Sequence, residues 1–207
     1  MTWMITEREE EDPDNPGTMV MNRNVEFFDP WVYTDSCLTY PPDYNDEDEA
    51  ADYPPTDVVA GLDYLEGQTV TIRADDATHP DRVVENGQVT LNNEYAKIEV
   101  GLQYTKKLKL QRYANAGEPA NLQGMKGRWV EVWMRLINSA YPKVDGYRSA
   151  ERRPSTPMDQ AEPVVTGEVK AYHLGFDRNK QLTIEQDLPF PLYITSIYGV
   201  FEVDSGE

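Results

Sequence analysis

The chain is poor in the residue types that carry most covalent and metal chemistry. It has one cysteine, Cys37, and two histidines, His79 and His173, in 207 residues. A single thiol excludes an intrachain disulfide, and with it the secreted class that folds around such bridges. The histidines stand far apart, with no cysteine or second histidine at zinc-ligand spacing. Long hydrophobic runs are missing too: no apolar stretch approaches the roughly 20 residues that span a bilayer as a helix. The opening MTWMITEREEEDPD lacks the basic n-region and apolar h-region of a signal peptide, so synthesis in a reducing cytoplasm is expected.

Positive charge is also scarce. Nineteen Lys and Arg face 37 Asp and Glu, for a formal charge of -18. Residues 1–60 hold sixteen of those acids and two bases, Arg8 and Arg23, a local charge of -14, which leaves -4 for the other 147 residues. A field of this sign repels phosphates and argues against stationary DNA binding, where Lys and Arg supply the affinity. It suits a surface that DNA passes without sticking.

What is present is aromatic and β-prone. Hydrophobic residues are 39% of the chain and aromatics 11%, with thirteen tyrosines and four tryptophans. A thin, aromatic-rich core of this kind fits sheets, where such side chains pack well on a pleated surface. The expected fold is all-β: small antiparallel domains, sandwich- or barrel-like, behind an irregular acidic N-terminal segment.

The expected leader is residues 1–57, where EREEEDPDNPG and YPPDYNDEDEAADYPPTD mix like charges with prolines and should be extended or mobile rather than packed. Between them, residues 19–40 can supply one or two strands. Calcium is a poor match to these acids, which lack EF-hand spacing and its central glycine. A small antiparallel domain is expected over 58–113, from the runs VVAGL, QTVTIRA, RVVE, QVTL, KIEVGL and TKKLKLQR. In QTVTIRA, Val70 and Ile72 alternate with Thr69, Thr71 and Arg73, the period of a half-buried strand. Turns are expected at 65–67, from Asp75-Asp76 through Pro80-Asp81, at Asn86-Gly87 and at Leu91-Asn92-Asn93, with Asn-Gly the strongest hairpin signal. A second β unit is expected over 114–207, interrupted by a proline- and charge-rich insertion at 139–163. Within it GRWVEVWMRLIN reads as a long strand, with Val130, Val132, Met134 and Leu136 on one face and Trp129, Glu131, Trp133 and Arg135 on the other.

No motif here carries an obvious reaction, and no cofactor is expected. Asp75, Asp76, His79 and Asp81 could meet a cation in one loop, but turn composition explains the same residues. Cys37 has no histidine nearby and no GxSxG elbow exists, so a nucleophile is not expected. The carboxylate pairs of a glycosidase need a scaffold that the proline-rich acid loops do not offer. GMKGRW lacks the spacing of a phosphate loop. Lys106, Lys107, Lys109 and Arg112, with Tyr104 and Tyr113, could touch a nucleic acid strand; an ordinary strand with Leu108 and Leu110 pointing inward accounts for them as well.

Six blocks in order, DSCLTY (35–40), GLDYLEGQTV (61–70), THPD (78–81), NGQVTL (86–91), VGLQYTKKL (100–108) and LTIEQDLPFPLYITSIYG (182–199), give the chain a family likeness. It resembles the nozzle proteins of short-tailed bacteriophages, also called tail tubular protein B or phage stabilisation protein, over roughly residues 20–200. Two positions depart from the family pattern: Tyr64 stands where a histidine is usual and Cys37 where a glycine is. The large propeller-like region that normally precedes these blocks is not in this sequence, so the chain looks like the C-terminal part of such a protein. The resemblance implies a non-catalytic subunit of a tail ring, generally sixfold, located in the virion and assembled in the host cytoplasm. It would have adaptor or portal, fibre or tail-tip proteins as partners, with double-stranded DNA passing through. It also implies a role for the acid loop, Asp43, Asp46, Glu47, Asp48, Glu49 and Asp52, on the lumen or against a partner. Tyr104, Trp129 and Trp133 are then candidate interface anchors. A carbohydrate- or receptor-binding module of a phage tail is the alternative.

Overall fold

The computed structural model describes residues 3–12, 15, 17–27, 29–42, 53–111, 126–148, 161, 163–171 and 181–203. The expected all-β class is what it shows: among the described residues most positions are strand, every pairing is antiparallel, and no α-helix occurs. Two compact units divide at Tyr104/Thr105.

The first unit begins with a hairpin of β1 (Trp3–Glu11) and β2 (Met19–Phe27), a two-stranded sheet in register from Trp3↔Phe27 to Glu11↔Met19. The acid run Glu7–Glu11, expected to be merely extended, is therefore one strand of a ladder. Its opposite strand comes from the hydrophobic island, and Arg23 Nε donates to Glu7 Oε1 at 2.7 Å. The rest of that island joins a different sheet as β3 (Asp35–Tyr40).

Two sheets pack face to face in the body of this unit. One is β4 (Thr56–Ala60) with β7 (Gln88–Tyr95). The other has the order β3-β8-β5-β6, with β5 (Thr69–Ala74), β6 (Ala77–Val83) and β8 (Ile98–Leu102). Val59, Val89 and Leu91 from the first meet Val70, Ile72, Ile98 and Val100 from the second, with Leu62, Leu65 and Val84 completing the core. At roughly 1.5–3 kcal/mol for each fully buried aliphatic side chain, this cluster is the main stabilising term of the unit.

Local chemistry decides the turns. Asp75 and Asp76 at φ 46° and 62° join β5 to β6, and Asn86 and Gly87 at φ 56° and 67° make the tight primed turn their sequence favours. That turn closes the Glu85↔Gln88 bridge, after which the chain parts into the two sheets instead of continuing a hairpin. The Glu66 carboxylate caps it, accepting from Asn86 N at 2.9 Å and Gly87 N at 2.7 Å. Leu91-Asn92-Asn93, expected as a turn, lies inside β7. The reversal comes at Ala96-Lys97, whose amides donate to Asp75 Oδ1 at 3.1 and 2.8 Å. His79, Pro80 and Asp81, expected in a turn, sit on the edge strand β6, where a proline lacking its N–H is tolerated.

The second unit also has two sheets. One has the order β13-β10-β15, from β10 (Gly127–Ser139), β13 (Val165–Ala171) and β15 (Ile194–Val203). The other has the order β12-β11-β14-β9, from β9 (Lys106–Lys109), β11 (Lys143–Val144), β12 (Tyr147–Arg148) and β14 (Thr183–Gln186). Between them lie Val132, Met134, Leu136, Val144, Val169, Ala171, Leu182 and Ile184. The lysine-rich run β9, placed by sequence at the end of the first β unit, pairs with β14 in the second, Leu108 opposite Ile184. Leu108 and Leu110 take the inward face expected of them, Leu110 packed against the core and Leu108 opposite buried Ile184, although on this edge strand Leu108 remains exposed.

Candidate interaction surfaces

The sequence-derived site residues fall in different places. Asp43, Asp46, Glu47, Asp48, Glu49 and Asp52 lie outside the described residues. Trp129 and Trp133, expected side by side on one face of β10, point opposite ways. β10 pairs Trp129 with Phe201 and Glu131 with Val200, so Val130 is an extra residue, a β-bulge that inverts the alternation. Trp129 consequently packs against the core and meets Phe201 edge-on at 5.2 Å, while Val130 turns out to solvent. Trp129 is thus a core-side residue.

Trp133 stays on the outer face, and its neighbours there make a built surface. Register places Tyr198 on one side of it and Lys170 on the other, and the Lys170 ammonium lies 5.5 Å from the Trp133 ring centre. Lys170 also pairs with Glu131 at 2.6 Å. That hydrogen bond, with the charge behind it and a further bond to Trp133, holds the Glu131 carboxyl below its ordinary range. Partial desolvation and a hydrogen bond to Glu168 push the Tyr198 phenol up. Val130, Ile137, Tyr198 and Val200 are 44–56% exposed around this row.

A second surface is the hairpin face bearing Trp3, Ile5, Met19, Met21, Val25 and Phe27, which period two and the register place together. Each is 48–72% exposed. Trp3 and Phe27 touch at 5.5 Å between ring centres, and the Glu7–Arg23 pair crosses the middle. Acids and prolines dominate the composition of this segment and suggest a leader; the alternation W-x-I and M-x-M-x-x-x-V-x-F is the signal that marks its apolar face.

Tyr104 closes the first unit beside a buried ionic knot. Glu99 is fully buried on β8; its Oε1 accepts from Tyr33 N at 2.6 Å, Thr34 N at 2.8 Å and Thr34 Oγ1 at 2.8 Å. Its Oε2 lies 3.6 Å from Arg73 Nε, and the Arg73 guanidinium stacks over Tyr33 at 5.0 Å. Thr71 and Arg73 are consequently buried, so β5 is covered on both faces and not half-buried as its alternation implied. Burial, followed by the charges of Asp35 and Glu99, raises the Tyr104 phenol. Burial, then Glu99, Asp29 and Asp35, push the Cys37 thiol up to about 12, which makes it a poor nucleophile. Tyr64 Oη donates to Ser36 O at 2.9 Å, which places it beside β3, the strand that holds Cys37.

The acids suspected of holding a cation do not converge. The Asp75 carboxylate serves the Ala96-Lys97 turn, and Thr71 Oγ1 donates to Asp81 at 3.1 Å. His79 takes the Nδ1–H form: Nδ1 donates to Pro80 O at 2.8 Å and Nε2 accepts from Asn92 N at 3.1 Å. No group of three potential metal ligands occurs among the described residues. A groove of about 430 Å³ opens where β6 and β7 part, lined by Asp81, Arg82, Glu85, Asn86, Gln88 and Thr90. Arg82 is committed there to Thr90 O and Asn92 Oδ1. No helix among the described residues is long and apolar enough to cross a membrane. No protein-family model and no curated protein matches the chain.

Proposed function

We propose that the chain is a non-catalytic structural subunit of a closed symmetric assembly, a β building block of a bacteriophage tail ring through which the genome leaves. The observation that carries this reading is the pair of exposed apolar faces, one on the N-terminal hairpin and one on the β13-β10-β15 sheet. Monomers rarely leave contiguous apolar patches of this kind uncovered. The order of the six nozzle-like blocks supplies the phage context, and the acidity of residues 1–60 suits a wall past which DNA must slide. Sixfold symmetry, a virion location and contacts to adaptor, portal, fibre or tip proteins belong to this reading through the resemblance. Electron microscopy of the purified chain, alone and with portal or adaptor proteins, should reveal closed rings with a central lumen. Isolated particles under every condition would end the reading.

One observation favours a second reading. The Tyr198–Trp133–Lys170 row presents an aromatic platform with adjacent hydrogen-bonding groups, the chemistry that stacks on a sugar ring. A receptor-binding module would show glycan binding abolished by Trp133→Ala, with no ring.

A further inference from the structure

We propose that the two apolar faces are partners for each other between copies: the hairpin arm of one chain lies on the outer face of the β13-β10-β15 sheet of the next. The inference rests on the assembly reading above and specifies its contact.

A two-stranded ribbon is marginally stable by itself in water, and among the described residues β1 pairs with β2 alone. The six apolar side chains on its open face are each 48–72% exposed, a larger run of uncovered apolar surface than monomers ordinarily leave open. The receiving sheet offers a matching surface: Val130, Trp133, Tyr198 and Val200, with Ile137 at the far end of β10. Both are twisted antiparallel sheets, which pack aligned face on face.

Charge selects between the two ways this could happen. On the arm, Glu7 is neutralised by Arg23, whereas exposed Glu9, on the same face, has no ion-pair partner among the described residues. On the sheet, Lys170 is neutralised by Glu131, and Arg135 stands across from Glu168, whose carboxylate is hydrogen-bonded by Tyr198, with no ion pair to Arg135 among the described residues, so this face is balanced in charge where the arm is acidic. Arm on arm would bring two acidic strands together. Arm on sheet sets an acidic strand against a charge-balanced face, with Arg135 the cation on it that Glu9 could meet. Two different surfaces meeting head to tail make a heterologous contact, the kind that generates a ring when the rotation closes.

Mixing experiments test this with the full chain. An arm variant, Trp3→Ser/Ile5→Ser/Phe27→Ser, and a sheet variant, Tyr198→Ser/Val200→Ser, should each remain folded and monomeric by sedimentation. Mixed together, they retain one intact contact and should form a heterodimer that grows no further. The exposed substitutions Glu9→Arg and Arg135→Glu, which leave the core untouched, should each weaken assembly at least tenfold and restore it when combined in one chain. If wild type assembles and the arm variant assembles equally well, the arm contact is wrong and the assembly reading stands. If the arm variant alone is impaired and the sheet variant is not, the arm binds elsewhere and the proposal fails. If wild type never assembles, both readings fail together.

Discussion

Taking the charge from Glu99 while keeping its shape gives the sharpest test of how the first unit is held together. In Glu99→Gln the amide oxygen can still accept from Tyr33 N, Thr34 N and Thr34 Oγ1, so the 33–34 segment keeps its anchor. What is lost is the anion 3.6 Å from Arg73, whose side chain is 5% exposed. The other carboxylate near it, Asp76, lies 4.0 Å away and is 71% exposed, too solvated to replace it. Breaking a buried pair from one side costs about 3–5 kcal/mol, because the surviving charge remains desolvated. For a domain near 100 residues, about 3 kcal/mol corresponds to a fall in Tm of about 12 °C. Scanning calorimetry should show the transition of the first unit move by that amount and that of the second unit hold still. Adding Arg73→Met should recover most of the loss, since it removes the buried charge that Glu99→Gln leaves without a counterion. A Glu99→Gln protein with unchanged Tm, or a double variant worse than the single, would refute the idea that this pair is a desolvated electrostatic contact.

Other expectations follow from the same geometry. Cys37, pushed up to about 12, should react with a maleimide at pH 8 roughly a thousandfold more slowly in the folded chain than in urea, because so little thiolate is present. Burial, together with the charge of Arg82, lowers the His79 pKa, although its hydrogen bond to Pro80 O acts the other way. The folded value lies below the unfolded one, so this contribution to stability is complete above about 6.5 and is lost as pH falls through the folded value; urea midpoints measured between pH 7.5 and 5 should decline, less steeply in His79→Gln. Gly87→Ala places a side chain at φ 67° against the Asp63 carboxylate and should cost about 1–2 kcal/mol in urea unfolding. Asp187 is pushed up by burial, but the Lys143 hydrogen bond and the charge of Arg148 outweigh that and hold its carboxyl below the usual range. Its contribution is therefore present at neutral pH and lost on acidification through that lowered value, so Asp187→Asn should flatten the acid limb of the second unit's stability curve.

Period two made the strands legible, because alternation is a local property written within five to ten residues. It told less about which strands become neighbours. Asn86-Gly87 announced its turn correctly, yet the strands on either side part into separate sheets, a choice fixed by what Val84 and Val89 bury and not by the turn. Val70 and Ile72 were readable as core; the burial of Thr71 and Arg73 was not, since it depends on a segment forty residues upstream that brings Tyr33 and Thr34 over Glu99. In β10 one extra residue at Val130 sent Trp129 inward, and a bulge leaves no mark in a hydrophobicity pattern. The hairpin was hidden for a different reason: its apolar residues are diluted by acids on the same strands, so composition spoke louder than spacing. Of the candidate interface aromatics, Trp133 lies on an open face, Trp129 on the core side, and Tyr104 beside the buried knot.

Sedimentation velocity over a wide concentration range measures the central claim most directly. The account requires a discrete species at an integral multiple of the 23.7 kDa chain mass, dissociating as concentration falls. A single 23.7 kDa species throughout, unaltered by portal or adaptor proteins, would contradict it.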